Sequence, residues 1–296
     1  MLKSQLFYCK NKDTYPPFKN GLYLEEFFLN KMINENIKTK RKYIPILWTN
    51  FQIENWFASK KNEMQKVLDE WINENKCIDG YFTIVQYDDG PLLKLPENTI
   101  IYGACSGTIP IPLIYEDKNF TLENIEKYSY ENKNILCSFV GNLTSNNVLP
   151  NVRQTLFDKF KNNKNFLMIN SGGWTPNVNK TNQEQFIDIT LKSKFSFAPR
   201  GYGRSSFRFF EIFKLGTIPI YVWNDINWLP FKNIIDYNKL CVVLNIKDID
   251  NLEQILLSYT EEKYANALIY YEEIKYLFEL EGMSNQIISE TNLCIK

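Results

Sequence analysis

Between Ser193 and Asp225 the chain reads SKFSFAPRGYGRSSFRFFEIFKLGTIPIYVWND, and it places charged groups where an apolar pattern should continue. Arg200-Gly201-Tyr202-Gly203-Arg204 form a glycine-bearing turn, and Ser205 or Ser206 can N-cap the helix that follows. That helix carries Phe207, Phe209, Phe210, Ile212, Phe213 and Leu215, apolar on nearly every side, which marks it as buried. Arg208 and Glu211 interrupt it on one face, near the end where backbone N–H groups lack partners and the helix dipole favours an anion. No Glu or Gln three residues beyond either serine completes a capping box, so the first-turn donors stay open to a ligand. With Arg200 and Arg204, whose guanidinium forks match phosphate oxygens, the set suits a diphosphate. Glu211 suits vicinal hydroxyls such as those of a ribose. The pair alone also fits an internal Arg208–Glu211 ion pair locking a structural helix; the turn with its two further arginines favours a ligand.

The sequence contains no histidine. That removes the commonest general base and imidazole ligand, excludes Ser-His-Asp and Cys-His catalysis, and leaves carboxylates for any proton abstraction. Asp88 and Asp89 follow the apolar run Tyr81–Tyr87 and precede Gly90-Pro91, at the carboxyl end of an expected strand, where open α/β sheets bind ligands. An ordinary Asp-Asp-Gly-Pro turn has the same composition, and the two aspartates are not ranked against each other. Asp248-Ile249-Asp250 could suggest a metal-dependent transferase, but an N-cap on a helix over 251–259 explains it more simply.

Strands are expected at Leu6–Cys9, Tyr43–Trp48, Tyr81–Tyr87 and Thr99–Gly103, alternating with helices over 22–37 and 60–75, the pattern of a parallel sheet. A second series follows. It comprises strand Ile135–Gly141, helix Val152–Phe160, strand Asn165–Ile169, helix Gln183–Lys192, strand Lys194–Ala198, the Ser206 helix ending near Gly216, and strand Thr217–Trp223. The polar segment Glu116–Asn134 reads as a linker and Glu261–Leu280 as a long helix. Arg153 opens the first helix of this second half, where it could reach the same diphosphate or stand as an exposed first-turn arginine; Ser171-Gly172-Gly173-Trp174 could line a base pocket or form a plain turn. Tyr202, Trp223 and Trp228 could stack on sugars, although packing is the default for large aromatics.

The same residues carry a family resemblance. Ser193-Lys194-Phe195, Pro199, Gly201, Ser205 or Ser206, Arg208, Glu211, Gly216 and Ile218-Pro219-Ile220 resemble the donor-site signature of the exostosin-like glycosyltransferases. The likeness continues through Trp228-Leu229-Pro230-Phe231, Ile235-Asp236-Tyr237 and Leu240–Leu244, and upstream through Phe139-Val140-Gly141, Arg153 and Ile109–Ile114, covering roughly residues 80 to 260. It implies an α/β, GT-B type fold of two Rossmann-like domains facing a central cleft. An acceptor domain would occupy residues 1–130 and a donor domain 131–260, with helices of 261–296 packing back on the first. It implies an inverting enzyme that moves a sugar from a UDP-sugar to a glycan hydroxyl without a metal or other cofactor. Asp88 or Asp89 would be the base, and Arg153, Arg200, Gly201, Gly203, Arg204, Ser205, Ser206, Arg208 and Glu211 would form the donor site. A GDP-fucose-dependent transferase and a non-catalytic nucleotide-sugar or glycan binder are the alternatives.

With 34 basic and 34 acidic residues the formal charge is zero, which argues against a nucleic-acid partner. The basic run Lys38–Lys42 reads as a solvated loop, with peripheral membrane contact a minor alternative. No apolar run approaches a membrane span and no signal-peptide pattern opens the chain, so a cytoplasmic location is expected. Six cysteines without paired spacing read as reduced thiols, and the sequons at Asn119, Asn142 and Asn179 are discounted in so Asn-rich a chain. Abundant Asn, Lys, Ile, Tyr and Phe point to an AT-rich genome, viral or bacterial.

Overall fold

Apolar strands that stop at glycine, proline or a polar residue, with helices returning along their flanks, build both halves of the chain. The computed structural model describes residues 21–54, 60–117, 122–144, 150–172 and 180–292. The expected strand Leu6–Cys9 and residues Gly173 and Trp174 lie outside them. The chain divides into two units, Met1–Lys118 with Tyr276–Lys296, and Asn119–Lys275.

The first unit contains α1 (Leu24–Asn34), β1 (Lys42–Tyr43), α2 (Trp48–Glu54), α3 (Lys61–Glu74), β2 (Tyr81–Val85), β3 (Thr99–Gly103) and β4 (Ile109–Pro110). Its strands form a parallel sheet in the order β1-β2-β3-β4. All five residues of β2 are buried, as expected for a strand covered on both faces. The strand expected over Tyr43–Trp48 ends at Tyr43: Ile44 donates the last bond, to Phe82 O, and Pro45 has no N–H to continue the ladder. Trp48 instead opens α2, its indole donating to Thr83 Oγ1 at 2.8 Å.

The second unit contains β5 (Ile135–Gly141), α4 (Val152–Phe160), β6 (Phe166–Asn170), α5 (Lys180–Lys192), β7 (Ser193–Pro199), α6 (Phe207–Lys214) and β8 (Ile218–Trp223), then α7 (Tyr237–Leu240), β9 (Val242–Asn245), α8 (Leu252–Leu257) and α9 (Glu261–Ile274). Its strands are again all parallel, ordered β6-β5-β7-β8-β9. The chain therefore leaves β5 in one direction to form β6 and crosses back to form β7 on the other side. The sheet's switch point lies between the carboxyl ends of β5 and β7, where doubly wound sheets hold their ligands. Phe139, Phe195, Phe197 and Phe213 are fully buried in its core.

The division between units falls at 118/119, inside the polar segment expected as a linker, rather than at 130/131. The far end of that segment is anchored. Lys133 is 3% exposed and donates to Leu191 O and Thr217 Oγ1. Burial pushes its ammonium down to about 8. The C-terminal helices part company. α9 belongs to the second unit, where Tyr271 stacks on Phe213 at 4.5 Å and Tyr264 donates to Gly216 O. From Tyr276 on, the chain joins the first unit, and α10 (Leu280–Asn292) packs on α1 with Glu281 bound to Lys31 at 2.6 Å.

Candidate functional site

At the switch point of the second sheet two arginines tie the strand ends together. Arg153, in the first turn of α4, donates through Nη1 to Asn142 O after β5 (3.1 Å) and through Nε to Arg200 O after β7 (3.2 Å). Arg208, in the first turn of α6, donates through Nη2 to Val140 O at 2.9 Å. Its guanidinium lies 5.1 Å from the Phe139 ring centroid and 5.5 Å from that of Phe186. Nε of Arg208 is buried and has no hydrogen-bond partner among the described residues. No carboxylate there lies within ion-pair distance of it. Burial pushes the Arg208 guanidinium down from its ordinary value, and the charge of Glu211 opposes that shift. The internal ion pair weighed from the sequence is therefore not the arrangement found.

Two glycines make room for these arginines. A Cβ on Gly141 would stand 2.6 Å from Arg208 Nη2, and one on Gly201 would stand 2.9 Å from Arg153 Nη2. Ser206 is the N-cap of α6, in extended conformation, and its side chain makes no capping bond. Ser205 precedes it, half-buried, and Gly203 is buried in the turn.

The other two arginines are engaged inside the loop. Arg200, 7% exposed, pairs through Nη1 with Asp225 Oδ1 at 2.6 Å and with Asn224 Oδ1 at 2.9 Å, and through Nη2 with Tyr202 O at 2.7 Å. Arg204 pairs with Asp225 Oδ2 at 2.8 Å and lies 5.7 Å from the Trp228 ring centroid. Burial pushes the Asp225 carboxyl up, but the Ile226 N–H and the two guanidiniums outweigh it and hold it down at about 2. Sequence reasoning missed Asp225. It lies two residues beyond the carboxyl end of β8, so the rule that pointed to Asp88 and Asp89 could have found it.

In the first unit, Asp88 is half-buried and Asp89 exposed on the turn after β2, closed by Gly90 N–H to Tyr87 O and by a positive φ at Gly90. Behind this turn lies a buried carboxylate that sequence reasoning also missed. Glu25, with no exposed surface, accepts from Gln86 N (2.6 Å), Thr49 Oγ1 (2.7 Å) and Thr49 N (2.9 Å). Burial pushes its carboxyl up to about 7 against these three bonds, and the charge of Glu26 adds to the rise. The Asp248-Ile249-Asp250 segment lies in a 3-10 turn leading into α8, where Asp250 pairs with Lys159. Among the described residues no three His, Cys, Asp or Glu side chains cluster as a metal site, and no helix is long and apolar enough to cross a membrane. Among the described residues, Cys77, Cys137 and Cys241 are free thiols.

Two parallel α/β sheets, one with arginines at its switch point, place the chain among the open, doubly wound α/β proteins. The Exostosin GT47 domain matches residues 105–259, just over half of the chain, and the chain belongs to that family. A probable glycosyltransferase of Arabidopsis thaliana is 32% identical over 80 residues, 27% of this chain and 16% of the relative. An exostosin-1 homolog of Caenorhabditis elegans is 26% identical over 107 residues, 36% of this chain and 27% of the relative. A second probable glycosyltransferase of Arabidopsis thaliana is 29% identical over 79 residues, 27% of this chain and 17% of the relative. The matched segments thus span less than a third of each relative's length.

Proposed function

We propose that this chain is an inverting glycosyltransferase that moves a sugar from a nucleotide diphosphate, UDP-linked as the family resemblance implies, to a glycan hydroxyl in a GT-B type arrangement. The observation that carries the reading is Arg208. It is a guanidinium among aromatic rings at the switch point, in the first turn of a helix, with a buried donor that no described residue satisfies. A buried donor without a partner costs roughly 1–3 kcal/mol, a strain that an anionic ligand would relieve.

In the proposed reaction the acceptor oxygen attacks the anomeric carbon of the sugar, whose bond to the diphosphate oxygen breaks on the opposite face. The acceptor proton passes to Asp88 or Asp89, and the diphosphate departs with the electron pair. Arg208 and the open first turn of α6 stabilise the charge growing on it. Arg153 holds the two strand ends at the spacing this requires, while Asp225 fixes Arg200 and Arg204 so that the loop keeps its shape. In this reading Glu211 accepts hydrogen bonds from the ribose hydroxyls. These residues supply the positive charge the leaving group needs, so the proposal requires no metal. The test is incubation of the chain with UDP-sugars and oligosaccharide acceptors in EDTA, with NMR of the product's anomeric proton. An inverted linkage supports the reading; retention of configuration contradicts it.

A further inference from the structure

The turn carrying Asp88 and Asp89 is held from both sides by buried polar groups that the proposed reaction does not otherwise use. On the strand side, Glu25 receives the Gln86 N–H and both donors of Thr49, joining the first turn of α1, the start of α2 and the carboxyl end of β2. The Gln86 side chain continues the brace, accepting from Leu24 N at 2.7 Å and donating to Ile114 O at 2.7 Å. On the far side, Gln52 donates to Gly90 O at 3.0 Å and accepts from Leu92 N at 2.8 Å. Glu25 and Gln52 have no exposed surface, and Gln86 is 3% exposed. A buried glutamate is expensive to desolvate, and a fold that needed only packing at this place would be served by an apolar side chain. All three described bonds to Glu25 run inward from donors, so its oxygens act as acceptors that fix backbone N–H groups. One of those groups belongs to the residue where the strand gives way to the aspartate turn.

We propose that Glu25 is a positioning residue for sugar transfer, holding the turn that presents Asp88 and Asp89. The inference rests on the transfer reading and adds to it a residue that touches neither sugar nor nucleotide. Glu25→Gln keeps size and shape, but its amide nitrogen faces a donor, breaking at least one of the three bonds.

Hydrogen exchange of the full chain at 86–90, and steady-state kinetics with the UDP-sugar that supports transfer, test it. Amide exchange at these positions is expected to quicken about tenfold in Glu25→Gln, matching the loss of one buried hydrogen bond, while exchange in the second unit is unchanged. Turnover is expected to fall about 10- to 100-fold, the scale set by misplacing a reacting group by about 1 Å, with the donor KM unmoved. In an Asp88→Asn/Asp89→Asn background the same change should cost nothing further, because the group it positions is already gone. Glu25→Asp should recover part of the turnover.

If Glu25→Gln does not fold, Thr49→Val, which removes only the hydroxyl bond, replaces it with smaller shifts in the same directions. Unchanged exchange at 86–90 overturns the proposal, and so does an equal loss of turnover in both backgrounds. A wild-type chain that transfers no sugar overturns the transfer reading, and the exchange result then decides the loop-holding role by itself.

Discussion

Replacing Gly141 by alanine tests the place of Arg208 without touching the arginine. Gly141 ends β5 without a positive φ, so alanine is compatible with the backbone and removes the entropic penalty glycine carries in a strand. The new methyl would stand 2.6 Å from Arg208 Nη2, 3.1 Å from Cζ and 3.2 Å from Nη1. Ordinary contact is about 3.5 Å, so the guanidinium must retreat by about 1 Å. Phe139 and Phe186 flank it, and its 2.9 Å bond to Val140 O stretches beyond hydrogen-bonding range as it moves. Loss of one charge-assisted bond to a phosphate corresponds to about 1.5–3 kcal/mol, or roughly 10- to 150-fold in affinity. Calorimetric titration with UDP should show that weakening. Turnover should fall about 100-fold, and the lost Val140 bond should lower stability by about 1–2 kcal/mol, partly offset by the gain over glycine. Adding Gly141→Ala to Arg208→Ala should then cost nothing more. A folded Gly141→Ala protein with wild-type affinity and turnover would refute the reasoning, because the ligand would not depend on the arginine's position.

Other perturbations read other parts of the site. Asp225→Asn leaves Arg200 with Asn224 Oδ1 and the carbonyls of Tyr202 and Gly201, and should lower stability by about 1–2 kcal/mol in urea denaturation. That is less than a fully buried pair would cost, because the aspartate side chain is 37% exposed; an unchanged midpoint would show that the pair does not hold the loop. Asp88→Asn and Asp89→Asn, made singly, should separate chemistry from binding, one of them lowering turnover with UDP affinity intact; full activity in both removes the base from the scheme. Glu25 carries a pH signature as well. Burial raises its folded-state pKa from 4.5 to about 7, so the native protein retains a proton that the unfolded chain has lost in that window. Its stabilisation is full below pH 4.5 and lost as the pH rises through 7, about 3 kcal/mol in all. The wild-type urea midpoint should decline across that range, and Glu25→Gln should remove this component of the slope.

Much of the second unit could be read from the chain because its elements are short apolar runs with clear stops. β5 ends at Gly141, α4 starts behind a capping Asn151, and α6 is framed by Ser206 and Gly216. Arg208 was legible because it interrupts an apolar helix, and Arg200 and Arg204 because they flank a glycine turn. Their partners were not. Arg200 finds Asp225 and Asn224 across two strand ends, and Arg153 finds a carbonyl after β5, contacts fixed by the crossover that orders the sheet. Local pattern carries no information about that order. Pro45 cut short a strand whose apolar run looked complete, and Glu25 passed as one more helical acid because only the fold buries it.

Calorimetric binding of UDP and GDP in EDTA, wild type against Arg208→Ala, addresses the central claim most directly. Micromolar UDP binding to the wild type, weaker GDP binding, and loss of both in the folded variant are expected. Binding of UDP that survives Arg208→Ala, or no binding of either nucleotide to a folded wild-type protein, would contradict that claim.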